Sequence, residues 1–182
     1  SLEEDLDGFE SILNNHSNQM DALRYELTFA GSRRILYVAE AVRLGWDAEK
    51  INQFTGIDFW FLHQIIGLID EENILQEIKL EDIDFNKMLN LKQKGFSDKR
   101  IAKLTCSTPI EVRNFRKKLG VLPAFKRVDT CAAEFSTETA YMYSTYEGEC
   151  ESNPTSNKKV IVLGSGPNRI GQGIEFDYCC VH

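Results

Sequence analysis

The chain has 182 residues, of which 42% are hydrophobic and 27% charged, and a formal net charge of −7 at pH 7. This is the composition of a globular protein, not of a disordered or collagen-like one. No uninterrupted apolar stretch approaches a membrane span, and the acidic N-terminus lacks the basic and apolar regions of a signal peptide.

From about Asn18 to Gly120 the punctuation is helical. Leu23, Leu27 and Ala30 mark one face of a first helix, with Gly31 as its stop. Ser32 is expected to cap a second helix, whose apolar positions are Ile35, Val38, Ala39 and Val42 and whose stop is Gly45. Asp47 is expected to cap a third, with Trp46 and Ile51 placed as a hydrophobic staple. Asp58 takes the same role for a fourth, with Ile57 and Leu62.

The pattern recurs at an offset of 50 residues. Gly45-Trp46-Asp47 is matched by Gly95-Phe96-Ser97, Ile51 by Ile101, Phe54-Thr55 by Leu104-Thr105, and Asp58 by Thr108. Ile35, Val38 and Ala39 correspond to Phe85, Met88 and Leu89, while Leu62 and Ile65 correspond to Val112 and Phe115. Caps, stops and apolar faces all repeat. The expectation is two copies of a three-helix unit, at about 32–70 and 82–120, each covering the other in a compact, mainly α-helical domain.

Two segments carry functional readings. Residues 58–69 (Asp-Phe-Trp-Phe-Leu-His-Gln-Ile-Ile-Gly-Leu-Ile) are apolar nearly all round a helix, which reads as a central core helix. The alternative is that part of it, Phe59 and Trp60 above all, faces a partner, because aromatics are enriched at interface cores.

The second segment is basic. Residues 1–91 carry a net charge of −11, residues 92–127 +9 and residues 128–182 −5. The basic block attracts either nucleic acid or an acidic surface, whether of the same protein or of a second copy across a two-fold axis. Within it, Thr108-Pro-Ile-Glu111 is a capping box with proline at the first helical position. Ile101, Ala102, Leu104, Val112 and Phe115 have helix-turn-helix spacing, and Arg113, Arg116, Lys117 and Lys118 lie on the would-be recognition helix. Against that alternative, the matching copy at 45–70 places Phe59, Trp60 and Phe61 where a recognition helix offers polar groups. The pattern therefore encodes packing, and nucleic acid is not the expected partner.

After Pro123 the texture changes. Residues 125–147 are rich in Thr, Ser and Tyr without a helical period and read as a connecting segment, and 147–158 as a polar linker. At 159–173 a β-branched run breaks into Gly164, Gly166, Gly171 and Gly173, the opening of an α/β domain. Only nine residues follow Gly173, too few for a crossover helix and second strand, so a piece of a larger protein is expected. The glycines do not fit a Walker loop, since Gln172 follows Gly171, nor the dinucleotide fingerprint, since Arg169 stands where a glycine belongs. Cys106, Cys131, Cys150, Cys179 and Cys180 include no Cys-x-x-Cys. With His16, His63 and His182 scattered, they point to reduced thiols in a cytoplasmic protein and to no metal site.

Residues 126–135 (Lys-Arg-Val-Asp-Thr-Cys-Ala-Ala-Glu-Phe), 140–146 (Ala-Tyr-Met-Tyr-Ser-Thr-Tyr) and 166–182 (Gly-Pro-Asn-Arg-Ile-Gly-Gln-Gly-Ile-Glu-Phe-Asp-Tyr-Cys-Cys-Val-His) closely resemble the large subunit of carbamoyl-phosphate synthases. The helical 20–120 region resembles that subunit's central oligomerisation domain. The resemblance implies a helical oligomerisation domain at 1–122, a connecting segment and linker at 123–158, and the start of a pre-ATP-grasp domain at 159–182. It implies a parent ligase that uses bicarbonate, glutamine-derived ammonia and two ATP, with magnesium or manganese, in arginine and pyrimidine biosynthesis. The expected partners are other copies of the large subunit and a small glutaminase subunit. Catalytic, cofactor and metal residues are expected outside this chain. Gly173 and Glu175 match the family's carbamate-tunnel residues. The residues alone equally allow close strand–helix packing at Gly173 and a helix-start cap at Glu175.

Overall fold

The computed structural model describes residues 6–13, 19–136 and 141–161, which divide between two compact units, 1–151 and 152–182. In the first unit α1 (Gln19–Thr28), α2 (Arg34–Arg43), α3 (Ala48–Thr55) and α4 (Phe59–Glu77) are followed by a single 3₁₀ turn at Leu80–Asp82. Then come α5 (Phe85–Gln93), α6 (Asp98–Leu104) and α7 (Pro109–Lys118). Two short strands, β1 (Ala124–Arg127) and β2 (Met142–Thr145), pair antiparallel with Ala124 opposite Thr145.

The internal repeat is a structural repeat. Helices α2 and α5 end alike. Trp46 N–H reaches the Ala41 carbonyl and Gly45 N–H that of Val42, and fifty residues on Phe96 bonds Leu91 and Gly95 bonds Lys92. These are Schellman closures. They place Gly45 and Gly95 at φ +79° and +89°, a left-handed conformation that strains any side-chain-bearing residue. Asp47 and Ser97 then cap α3 and α6 by accepting from Lys50 N–H at 2.8 Å and Arg100 N–H at 2.9 Å. Asp58 caps α4 through Trp60 N–H, and Thr108 with Glu111 closes the capping box of α7. Even exposure repeats: Ile35 and Phe85 both face solvent, while Val38 and Met88 are both fully buried.

Three local expectations fail. Helix α1 stops at Thr28 and leaves Ala30 exposed. Ser32 does not cap α2, because a backbone turn takes over: Arg34 and Leu36 N–H groups bond the Gly31 and Arg33 carbonyls. Arg34 instead serves two helix ends, donating from Nε to Leu27 O at 2.8 Å and from Nη2 to Thr55 O at 2.7 Å. Helix α4 also outruns its counterpart. Gly120 ends the second copy at φ +84°, whereas Asp70 stands at the equivalent place and the helix continues to Glu77.

That extension joins the two halves. Leu62, Ile65 and Ile69 lie in a first core with Leu23, Leu27, Val38 and Ile51, while Leu75 lies in a second with Met88, Leu91, Ile101 and Val112. One helix thus serves both cores. Ahead of α1, Leu13 is buried in the first core with Phe9 and Ile12 packed against it. After β2, Tyr146 packs on the second.

The small sheet orders the connecting segment. The backbone N–H of Glu151 donates to Phe125 O at 2.7 Å, and its carboxylate accepts from Arg127 N–H and Lys126 Nζ. In the second unit, residues 152–161 are coil with one bend, and Lys159 Nζ donates to the Thr155 and Asn157 carbonyls. The β-branched run that opens the expected α/β domain forms no strand over its described part, 159–161. The glycine loop, Gly173, Glu175, Cys179 and Cys180 lie outside the described residues.

Candidate self-association surface

The two functional readings of the sequence fall on α4 and on the second copy, and the structure separates them. Helix α4 is not the wholly buried helix expected. Its buried stripe runs Leu62, Ile65, Ile69, Glu72 and Leu75, and its first turn projects out of the core. Phe59, Trp60 and Phe61 are 41%, 62% and 57% exposed. Trp60 and Phe61 meet edge to face with centroids 4.9 Å apart, and Phe59 stacks on His63 at 6.4 Å. Consecutive helical residues point about 100° apart, so three in a row cannot share one buried stripe. Leu62 and Ile65 take it, and the three rings before them stay in water. Burying a large apolar side chain is worth about 1.5–3 kcal/mol, and an exposed aromatic cluster at a helix start is a surface able to gain it from a partner.

Much of the basic block is spent inside the chain. Arg116 is buried, donates from Nε to both oxygens of Asp98 and from Nη1 to Val121 O. Lys92 is buried too, bonding Phe96 O at 2.6 Å and Asp98 Oδ1 at 2.9 Å. Lys94 pairs with Glu71 at 2.7 Å, Lys99 with Asp7 at 3.0 Å and Lys103 with Glu10 at 2.8 Å. Positive and negative blocks therefore meet within one molecule, and Arg116 is held in an internal ion pair.

The centre of this charge pairing is Glu72. Its Oε2 accepts from Arg43 Nη2 at 2.7 Å, and its Oε1 accepts from Arg100 Nε at 2.8 Å. Arg43 also reaches Glu40, and both arginines donate to the Phe9 carbonyl, Arg100 at 3.1 Å. Glu40 in turn accepts from Ile12 N–H at 3.0 Å. Sequence reasoning missed this network. The signal was present: 62, 65, 69, 72 and 75 have the spacing of one helical face, and a carboxylate at the fourth position of an apolar stripe demands a buried partner.

Burial pushes the Glu71 carboxyl up, but the ammonium groups of Lys87 and Lys94 outweigh it and hold the group below its ordinary range. Asp98 follows the same balance: burial raises it, and Lys92 and Arg116 bring it below the usual aspartate value.

A cleft of about 310 Å³ lies beside the network, between residues 6–9 and the start of α6. The described residues do not fit an ATP–metal site. The cleft's cations, Lys94 and Arg100, are already paired with Glu71 and Glu72. Among the described residues no group of three or more His, Cys, Asp or Glu side chains is placed to hold a metal. No helix among them is long and apolar enough to cross a membrane.

Comparison with known proteins gives two family matches. Residues 1–120 match the oligomerisation domain of the carbamoyl-phosphate synthetase large chain, and residues 156–182 match the carbamoyl phosphate synthase preATP-grasp domain. The whole chain is 53% identical over 182 residues to the carbamoyl phosphate synthase large chain of Pseudomonas aeruginosa, covering 17% of that protein. It is 54% identical over 181 residues to that of Neisseria meningitidis serogroup B, covering 16%, and 52% identical over 185 residues to that of Pasteurella multocida, covering 17%. The chain thus spans about one sixth of the length of these relatives.

Proposed function

Because the chain belongs to the carbamoyl-phosphate synthase large-chain family, with residues 1–120 as its oligomerisation domain, we propose that it brings copies of the large chain together through the first turn of α4. The observation that carries this reading is the exposed Phe59–Trp60–Phe61 cluster on an otherwise core-forming helix. Trp60 is the anchor, being the largest and most exposed of the three, and a second copy of the same turn is its partner.

In the full-length protein the domain stands between the parts that carry catalysis and fixes their separation. That protein is a cytoplasmic ligase making carbamoyl phosphate from bicarbonate, two ATP and ammonia that a small glutaminase subunit releases from glutamine. ATP, with magnesium or manganese, binds in parts of the large chain beyond these residues, and the 182-residue chain is itself non-catalytic. Gly173 and Glu175 line the carbamate route.

Light scattering on the 182-residue chain tests the association. The mass is expected to rise above 20.8 kDa toward twice that value with concentration, and to do so less for Trp60→Ser. A mass fixed at the monomer value over a hundred-fold concentration range contradicts the reading.

A further inference from the structure

Polar side chains of α6 reach one of the segments that flank the helical core directly and the other through Lys92 of α5 and Arg116 of α7. Toward residues 6–13, Arg100 donates to Phe9 O at 3.1 Å, while Lys99 and Lys103 pair with Asp7 and Glu10. Toward residues 141–151, Asp98 holds Lys92 and Arg116 in place. Those two cations stand 5.2 and 5.9 Å from the centre of the Tyr146 ring, and Gln93 Nε2 donates to Tyr146 O at 3.2 Å. The leading segment buries Leu13, with Phe9 and Ile12, against the first core but takes its ionic contacts from the second copy. It is a strap laid across the two repeats.

We infer that α6 is a joint that couples the strap at 6–13 to the β1–β2 hairpin, so that loosening one loosens the other. The inference rests on the spacer role given above, for a spacer holds its neighbours in register only if its entering and leaving segments are fixed to one body. Asp98 and Arg100 are two residues apart on a seven-residue helix that is fixed in the second core by Ile101, Ala102 and Leu104. Shifting the anchor of either carries the other with it. Contact between a buried helix and two ion networks has few graded intermediates, because each network loses its buried partners when it opens.

Amide hydrogen exchange on the 182-residue chain tests this at a dilution where it is monomeric. The Ile12 amide, bonded to Glu40, reports the strap, and the amide of Val38 in the first core reports global opening. Tyr146→Leu removes the ring that Lys92 and Arg116 face, on the hairpin side alone. It is expected to speed exchange at Ile12 about five-fold while leaving Val38 within about two-fold. Asp98→Asn, which also lowers global stability, is expected to speed exchange at Ile12 by a larger factor than at Val38. Unchanged exchange at Ile12 in Tyr146→Leu, or equal acceleration at Ile12 and Val38 in both variants, overturns the inference. Lost coupling with self-association intact would leave the oligomerisation reading standing, and a strictly monomeric chain with coupling intact would do the reverse.

Discussion

Glu72 and Arg100 are joined across the boundary between the two repeats. Nε and Nη2 of the guanidinium, at 2.8 and 2.7 Å, share one carboxylate oxygen, which leaves the other for Arg43. One buried acid thus satisfies two arginines from different copies. Its removal leaves buried Arg100 with no carboxylate and Arg43 with Glu40 alone, so Glu72→Leu is expected to cost about 3 kcal/mol or more in urea unfolding. Arg113→Ala, at an exposed position of α7, is expected to stay within about 0.5 kcal/mol. Equal midpoints for the two variants would contradict the role given to the network.

Acid should weaken the domain in a stated direction. Glu71 and Asp98 are held below their ordinary values of 4.5 and 3.8, burial opposing and the paired cations prevailing. A depressed folded-state pKa means that the unfolded chain takes up protons first as pH falls. The stability these groups contribute is therefore complete above about pH 5 and disappears as pH drops through the ordinary values to the lower folded ones. Asp98→Asn is expected to be less stable than the parent at pH 7, with the gap closing toward pH 3. Urea midpoints at pH 7, 4 and 3 check this, and a gap that widens on acidification contradicts it.

Two glycine substitutions should act with opposite signs. A Cβ added at Gly45 meets nothing within 4 Å, yet its φ of +79° strains the backbone, so Gly45→Ala is expected to destabilise by about 1–2 kcal/mol. Gly67 lies within α4 with the same open space and carries no left-handed φ. Gly67→Ala is expected to stabilise by about 0.5–1 kcal/mol through helix propensity. Thermal unfolding of the two variants reads both signs, and a loss of stability in Gly67→Ala would contradict this account of α4.

What the sequence revealed and what it hid divide by distance along the chain. The caps at Asp47, Asp58, Ser97 and Thr108 and the turns at Gly45 and Gly95 were legible, because each is built from residues within five of one another. The repeat was legible for the same reason. Ser32 failed because a backbone turn supplied the bonds its side chain was expected to make. The orientation of α4 was hidden by its own composition: a segment apolar all round has no periodicity to say which rings stay outside. The strand Ala124–Arg127 was hidden because Lys126 and Arg127 break the alternation, and its partner lies eighteen residues away. Glu72, Arg43 and Arg100 were hidden because their pairing spans 29 and 28 residues. The recognition-helix reading of Arg116 failed on the same ground, since Asp98 claims that side chain from eighteen residues upstream.

The central claim is that the first turn of α4 is where copies meet. The competing source of association is the apolar Val160–Ile161 stretch, 90% and 83% exposed, in the second unit. Ending the chain after Glu151 removes that stretch and keeps the bond from Glu151 N–H to Phe125. Sedimentation equilibrium on this shortened form and on its Trp60→Asp variant is the direct measurement. The account predicts a concentration-dependent dimer for the shortened form and at least about ten-fold weaker association for the variant, one desolvated anchor being worth about 1.4 kcal/mol or more. A shortened form that is strictly monomeric while the 182-residue chain dimerises, or a Trp60→Asp variant that associates undiminished, would contradict it.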